Sequence, residues 1–583
     1  MGESLNALWS RALAEELVRS GVRHAVICPG SRSTPLALAF AEAPGLRVWS
    51  VIDERQAAFF ALGIGRQSGA PAVVLATSGT AGAHFLPAAI EAAESRIPML
   101  LVTADRPIEL HGWGAPQQIS QGELYGRFAR WSAELGIPEA RDDTLLHLRA
   151  TASRAAATAR STPKGPVHLN APFREPLAPP EEPEPLPELS PLALQGRGSA
   201  PFTELAAPQR LASPQALDRV RERLQRSGRG LVYLGPHDLE DGLAEAAIEL
   251  GRASGYPVLA EAASNARFGR SGEVIALYDA LLRHEPFARA HRPEVVLRFG
   301  GGATPKAPQQ WLDSSGAFTV QFCDGGALVD PSHCASMVVE GDAIDACRRL
   351  AQGLSRGRTA YAASFASAEA RARAALEDAF AKDGSLSEPR IAREVARALV
   401  PGANLFVSSS MPIRDLDGFA LEAPRCRVFA NRGANGIDGI LSTALGVSAS
   451  SGRPTALLTG DLAFLHDLGA LVLAARSRLP LAIVVVHNDG GGIFEFLPVA
   501  RRTPHFEALF ATPHGLELRH AAALVGAPHL ACRAPAELYG AVRAALEGGL
   551  HLIEVKSERP KNVRAHQELL SRVAAALGEG PWD

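Results

Sequence analysis

Gly460-Asp461-Leu462-Ala463-Phe464-Leu465-His466-Asp467, a helix-like run, and then Pro480-Leu481-Ala482-Ile483-Val484-Val485-Val486-His487-Asn488-Asp489-Gly490-Gly491 decide the fold. The apolar run Ala456-Leu457-Leu458-Thr459 leads in. Asp461 therefore falls at the end of a buried strand, where open α/β sheets place their ligands. Asn488 follows twenty-seven residues later, at the end of a second apolar run. One strand, one helix and one more strand fill that interval, which makes a βαβ unit. Two parallel strand tips then aim an aspartate and an asparagine at one spot. A carboxylate and an amide oxygen, completed by a backbone carbonyl and phosphate oxygens, form a hard-oxygen shell suited to Mg²⁺. The glycines let the backbone approach a diphosphate. Either half alone reads as a helix cap or a turn. Together, at this spacing, they read as one site for a metal and a diphosphate.

Outward from that stretch, 583 residues predict three or four domains. Hydrophobic residues at 46% against 21% charged describe a soluble globular chain with ample core. A net charge of −3 implies no polyanionic partner, so no nucleic acid. The cysteines (Cys28, Cys323, Cys334, Cys347, Cys426, Cys532) are scattered without a C-x-x-C pair. They predict a reducing cytoplasm and no structural zinc. Met1-Gly2-Glu3-Ser4-Leu5 carries no basic or long apolar leader, and no apolar run approaches the roughly 20 residues that span a bilayer. Only Lys164, Lys306, Lys382, Lys556 and Lys561 are lysines. A single arginine is thus weaker evidence for an anion site than usual, and Lys306 is the more notable.

Strand and helix patterns alternate along the chain, which predicts three doubly wound α/β domains. Residues 1–180 form the first. A helix over 5–19 precedes the strand His24–Cys28, whose tip is Pro29-Gly30-Ser31-Arg32-Ser33. Val48–Ile52 ends in Asp53-Glu54-Arg55, Ala72–Ala76 ends in Thr77-Ser78-Gly79-Thr80, and Met99–Val102 runs into Thr103-Ala104-Asp105-Arg106-Pro107. Residues 181–204 form a linker. Its approach, Glu175–Pro191, carries seven prolines, a composition that does not pack a core. Residues 205–355 form a central Rossmann-like domain. Its Phe299-Gly300-Gly301-Gly302 turn lacks the spacing of a dinucleotide site. An alanine-rich helix, 356–384, bridges to the third domain at 385–583. The two outer domains share a layout of strand tips.

The GD and N-D-G-G pair resembles the thiamine diphosphate (ThDP) binding signature, with His487 standing where that family often has Asn. The resemblance implies a carboxyl group beside the cofactor's pyrimidine nitrogen, and Glu54 is the candidate. The ordinary alternative is a charge that opposes the helix dipole. Ile437 resembles the aliphatic wedge that bends the cofactor, with plain core as its alternative.

Pro29-Gly-Ser-Arg-Ser-Thr-Pro35, Asp53-Glu-Arg55, Thr77-Ser-Gly-Thr80, Thr103-Ala-Asp-Arg-Pro107, Gly114-Ala-Pro-Gln117, Asn431-Arg-Gly-Ala434, Gly436-Ile-Asp-Gly439 and His487-Asn-Asp-Gly-Gly491 stand in one order along the chain. They resemble the 2-succinyl-5-enolpyruvyl-6-hydroxy-3-cyclohexene-1-carboxylate synthase family, ThDP-dependent transferases of menaquinone biosynthesis. The resemblance spans the chain and is weakest in the middle. It implies the three-domain fold of ThDP-dependent decarboxylases and carboligases. The implied reaction is decarboxylation of 2-oxoglutarate and 1,4-addition of the resulting succinic semialdehyde carbanion to isochorismate. It implies Mg²⁺ (or Mn²⁺) held by Asp461, Asn488 and Gly490, and cofactor contacts from Glu54, Ile437, Gly460, Asp461, Asn488 and Ile493. Both substrates are dianions, which call for planar, directional cations. By resemblance, Ser410 and Arg414 hold the remaining carboxylate of the 2-oxoglutarate unit. Arg32, Arg106, Gln117 and Lys306 face isochorismate, with Ser31 and Arg432 near. Phe494 and Leu497 form an apolar wall. Some relatives carry a second basic residue after Lys306, where this chain has Ala307. The family builds its site between two chains, so a cytoplasmic homodimer is implied, with a dimer of dimers as an extension. Two other readings stay open: a different ThDP carboligase or decarboxylase of the acetolactate-synthase kind, and a non-catalytic protein of the same fold.

Overall fold

The computed structural model describes residues 4–181, 185–239, 241–325, 328–580 and 582. Among them lie three parallel sheets. The first holds β1 (His24–Ile27), β2 (Arg47–Ser50), β3 (Ala72–Ala76), β4 (Met99–Asp105), β5 (Ser132–Glu134) and β6 (Pro166–Pro172), in the order β2-β1-β3-β4-β6-β5. The second holds β7 (Gly230–Leu234), β8 (Val258–Ala260), β9 (Val295–Phe299), β10 (Phe318–Cys323) and β11 (Met337–Glu340), in the order β11-β10-β9-β7-β8. The third holds β12 (Asn404–Val407), β13 (Arg427–Phe429), β14 (Thr455–Gly460), β15 (Leu481–His487), β16 (His529–Cys532) and β17 (Leu550–Lys556), in the order β13-β12-β14-β15-β17-β16. The first and third sheets follow one permutation, so the shared layout of strand tips is a shared topology. In both, the winding direction reverses between the first and third strands. That switch point opens a crevice at the strand ends, the usual ligand position in such sheets.

The strands form where runs of Val, Ile, Leu and Ala are covered on both faces. All five residues of β3 and all seven of β15 are buried. Edge strands β5, β11 and β16 are short, and the alternation of apolar runs did not announce them. The interval between Asp461 and Asn488 departs from expectation. It holds two short helices, Asp461–His466 and Ala470–Ser477, where one was expected. The break falls at Asp467, whose buried carboxylate accepts from Ser442 N (2.6 Å) and Ser442 Oγ (3.0 Å) rather than facing water.

The Pro-rich approach also departs from expectation. Leu177 is buried in the first core, and Leu186 and Leu189 pack against it. The prolines set an extended path, but the leucines between them still lie down on apolar surface. Pro191–Gln195 then turns into a helix, and buried Arg149 donates to the carbonyls of Ala193 (2.9 Å) and Leu194 (2.6 Å). Linker residues 182–184 lie outside the described residues.

By contacts the chain falls into two compact units. One runs to Pro208 and includes Asn431–Gly452 and His466–Ser477; the other holds Gln209–Ala430, Arg453–Leu465 and the chain from Arg478. In the first unit the Glu54–Ser68 helix crosses the Ile440–Ser451 helix with backbones almost touching. A Cβ on Gly63 would stand 2.1 Å from the Thr443 carbonyl, and one on Gly446 would stand 2.1 Å from the Phe60 carbonyl. In the second unit, the Ala360–Lys382 helix packs along the Arg559–Leu577 helix. A buried polar group ties the Met411–Phe419 helix to the second sheet's loops. Asp417 accepts from Tyr278 Oη (2.6 Å), Arg267 Nη1 (3.1 Å) and Ala262 N (2.8 Å). Glu261 accepts from Tyr233 Oη (2.7 Å) and Thr304 N (3.0 Å), and burial pushes it up to about 7. Among the described residues no helix is long and apolar enough to cross a membrane.

The helix crossing makes a stability prediction. Gly63→Ala and Gly446→Ala each force two backbones apart, at a cost of about 1–3 kcal/mol. Thermal scans of the purified protein should show each variant unfolding earlier. Unchanged midpoints in both would show that the crossing has room to spare.

Candidate active site

In the second unit, strand pairing puts Gly460 opposite Val486, so the ends of β14 and β15 lie side by side. Asp461 opens its helix at that end and is 1% exposed. Its Oδ2 accepts the backbone N–H groups of Asn488 (3.0 Å) and Gly490 (3.1 Å), and its Oδ1 accepts that of Leu462 (2.7 Å). The aspartate thus staples the two tips together. Asn488 Nδ2 donates to Glu388 Oε1 at 2.9 Å, while Asn488 Oδ1 is buried without a hydrogen-bond partner among the described residues. A buried amide oxygen with no partner costs free energy unless something fills the place. Beside a carboxylate, a divalent hard cation fits it.

The glycines here have specific reasons. Gly490 has φ +139°, and a Cβ there would stand 2.2 Å from the Ala511 carbonyl. A Cβ on Gly492 would stand 2.7 Å from Asn488 Nδ2. At Gly460 the space is open, with no atom within 4 Å of a built Cβ.

Two histidines flank the carboxylate. His487 and His514 stack with ring centres 5.2 Å apart, and His514 Nε2 lies 3.4 Å from Asp461 Oδ2. Asp461, His487 and His514 have the proximity of a nitrogen-rich metal site. His487 is held from its other side. Its Nδ1 meets Glu554 Oε1 at 2.7 Å, and this bond, with nearby Asp461, raises its pKa against the opposing effect of burial. The oxygen pair Asp461 and Asn488 suits a hard cation such as Mg²⁺. Asp489, at φ +57°, accepts from the N–H groups of His514 (2.9 Å) and Gly515 (2.8 Å) and holds that loop in place.

At the switch point of the third sheet, Ser410 has φ +73° and ψ −131°, a strained conformation for a residue other than glycine. It sits at the start of the Met411–Phe419 helix, yet its hydroxyl caps no N–H group. Arg414 Nη1 donates to the Ser410 carbonyl, so the two expected carboxylate-binding residues share one helical turn. Ile493 and Phe494 lie part-buried on the short Gly492–Phe496 turn, with the Phe494 ring 5.9 Å from that of Phe510. Leu497 follows and is exposed. Lys306 opens the Lys306–Asp313 helix beside the second sheet, exposed, and no described contact joins it to Ser410 or Arg414.

In the first unit, the tips after β1, β3 and β4 assemble the other expected cluster. Gly30 is required where it stands, since a Cβ there would lie 2.3 Å from Thr77 Cβ. Arg106 donates to Ser78 Oγ and to Gln117 Oε1 (3.2 Å), with Gln117 itself at φ +56°. Arg32, beside Ser31, donates to the Phe173 carbonyl (2.8 Å) and pairs with Glu175 (3.1 Å). Burial and then the charge of Arg32 lower the pKa of Arg106. Two guanidinium groups and the Glu175 carboxylate thus meet at these tips, a setting that suits an anionic ligand.

Glu54 is the first residue of its helix and part-buried; the preceding Asp53 supplies the cap, accepting from Gln56 N at 3.1 Å. Burial, then Glu54 and Asp53, push the Cys28 thiol up, which places Glu54 near the end of β1. Ile437 is 40% exposed, so it is not ordinary core. Arg432 precedes Gly433 and Ala434, whose N–H groups donate to the Glu91 carboxylate (3.0 and 2.7 Å). Glu388, His514, Glu554 and Glu91 were not expected from the sequence. Each is distant along the chain from the motif it supports and lies in no recognisable pattern.

Two family models match the chain: the thiamine pyrophosphate enzyme N-terminal TPP binding domain over residues 9–124, and the C-terminal TPP binding domain over residues 420–555. Each match contains one of the two clusters just described. A protein of Myxococcus xanthus named 2-succinyl-5-enolpyruvyl-6-hydroxy-3-cyclohexene-1-carboxylate synthase is 60% identical over 583 residues, covering 99% of each chain. Proteins of the same name from Geobacillus kaustophilus (43% identical; 99% of this chain, 100% of the other) and Chloroflexus aurantiacus (41%; 98% and 97%) match as fully. With relatives this similar along its whole length, the chain belongs to the 2-succinyl-5-enolpyruvyl-6-hydroxy-3-cyclohexene-1-carboxylate synthase family of thiamine pyrophosphate enzymes.

Proposed function

We propose that the protein decarboxylates 2-oxoglutarate with ThDP and Mg²⁺ and joins the four-carbon unit to isochorismate. The products are 2-succinyl-5-enolpyruvyl-6-hydroxy-3-cyclohexene-1-carboxylate and CO₂, within menaquinone biosynthesis. Full-length identity of 60% to a relative bearing that name carries the reading. The guanidinium pair of Arg32 and Arg106 supports a polyanionic substrate over one with a single carboxylate.

When bound, ThDP supplies a nucleophilic carbon and a sink for the electrons released with CO₂. Asp461, the Asn488 amide oxygen and the Gly490 carbonyl would hold the cation, which would offset the negative charge of the diphosphate. Gly460 leaves room for the cofactor, and Ile437 and Ile493 offer it apolar surface. Glu54 would hold a proton at the pyrimidine ring nitrogen and exchange it with that atom. Its partial exposure in one chain fits a site completed by a second, so the working unit is a homodimer, with a dimer of dimers as an extension. Ser410 and Arg414 bind the distal carboxylate of 2-oxoglutarate. The strain at Ser410 aims a hydroxyl that is not spent on capping. Arg32, Arg106, Gln117, Ser31, Arg432 and Lys306 orient isochorismate, and Phe494 and Leu497 exclude water. In this reading residues 1–180 bind the pyrimidine, 205–355 are a central domain without nucleotide, and 385–583 bind diphosphate and metal. The linker 181–204 and the bridge 356–384 connect them in a cytoplasmic enzyme.

The test is a coupled assay with Mg²⁺, ThDP, 2-oxoglutarate and isochorismate, with the product identified by mass. Faster CO₂ release from pyruvate than from 2-oxoglutarate would favour an acetolactate-synthase-like enzyme and sink the substrate assignment. Arg414→Ala should raise the KM for 2-oxoglutarate about 10- to 100-fold, matching the ~1.5–3 kcal/mol of a charge-assisted hydrogen bond. An unchanged KM removes Arg414 from the carboxylate site. Glu54→Gln should leave ThDP bound but nearly stop exchange of its C2 proton, as followed by NMR. Exchange at the wild-type rate would refute the proton-handling role.

A further inference from the structure

We propose that Glu388 is a positioning residue that turns the Asn488 amide so that oxygen, and not its NH₂ group, faces the cation site. The proposal rests on the metal reading above and adds to it a residue that no motif contains. Oxygen and nitrogen of an asparagine amide are almost the same size, so packing alone does not choose between the two orientations. Only the hydrogen-bond partners choose. A reversed amide would point two hydrogens at the metal and bind nothing.

The choice is made on the far side of the amide. Asn488 Nδ2 donates to Glu388 Oε1 at 2.9 Å. Glu388 Oε1 is the acceptor of that bond, so it is the NH₂ group of Asn488 that faces it. Glu388 is itself held. Its Oε1 also accepts from Ser557 Oγ (2.8 Å), and its Oε2 accepts from Asn562 Nδ2 (2.8 Å). It is 2% exposed, in the first turn of the Glu388–Ala398 helix. Gly492 leaves space on the NH₂ side, where a Cβ would stand 2.7 Å from Nδ2. The backbone of Asn488 is fixed independently by Asp461 Oδ2. What remains is the buried Oδ1 without a partner, aimed away from Glu388. The arrangement follows the logic of the carboxylate–histidine–metal relay, with an amide in the middle: the acceptor behind a ligand fixes its orientation and enriches its donor atom.

The test is a direct titration of the full-length protein with Mn²⁺ in the presence of ThDP, following free Mn²⁺ by electron paramagnetic resonance. Thermal midpoints are read alongside without metal. Glu388→Ala should weaken Mn²⁺ binding about tenfold or more, the usual effect of losing a support behind a ligand. Glu388→Met, which keeps the volume and removes the acceptor, should do the same and stands in if the alanine variant does not fold. Glu388→Gln should bind Mn²⁺ close to wild type, because its carbonyl accepts the same N–H. Asn562 Oδ1, buried without a partner, can turn to receive the new NH₂. Asn488→Ala is the control for the site itself. If it loses Mn²⁺ affinity while Glu388→Ala and Glu388→Met only lower the thermal midpoint, Glu388 merely supports its helix and the proposal is overturned. If Asn488→Ala binds Mn²⁺ normally, the metal assignment fails first and the proposal falls with it.

Discussion

The site in the second unit depends on one buried carboxylate. Asp461 Oδ2 accepts the N–H groups of Asn488 and Gly490 across the gap between two strand ends. The 487–492 turn is fastened to the end of β14 by those two bonds. Its residues run through a left-handed Asp489 and a Gly490 at φ +139°. The parallel pairing of β14 and β15 makes the bonds reachable, and burial makes them strong. A negative group so enclosed invites a counter-charge. The adjacent orphaned oxygen of Asn488 states what kind: one that wants oxygen ligands.

The same economy governs the first unit. Arg32 and Arg106 come from tips after different strands and stand near enough for one charge to perturb the other. Proteins tolerate such pairs where an anion is expected. Glu175 partly offsets the charge, and it comes from the Pro-rich stretch that packs down on the first core. The stretch that carries Glu175 is therefore part of the scaffold around Arg32, and Leu177 holds it to the first core. The two outer sheets share one strand order, and in each a cluster gathers at the ends of neighbouring strands. A common topology thus presents Arg32 and Arg106 at the strand ends of one sheet and Asp461 and Asn488 at those of the other.

Much of this was legible in the chain. The apolar run Ala72–Ala76 became a strand with the expected bounds, because continuous burial leaves a continuous pattern. The edge strands β5, β11 and β16 were not legible, since residues facing water on one side read as loop. The second helix between Asp461 and Asn488 was missed for a related reason. Its cause is Ser442, a partner for Asp467 from another part of the chain.

Residue order alone determined the class of fold, the family, and the tips that carry chemistry, because those depend on local runs and on short motifs in sequence. Tertiary structure decided the rest. Which way the Asn488 amide points depends on Glu388, a hundred residues away. The carboxylate that meets the His487 ring is Glu554, brought to it by strand pairing. Ser410 is strained and Ile437 is exposed, and neither is written in its neighbours. Orientation, protonation and strain are set by what surrounds a side chain in space, and that is known only once the chain has folded.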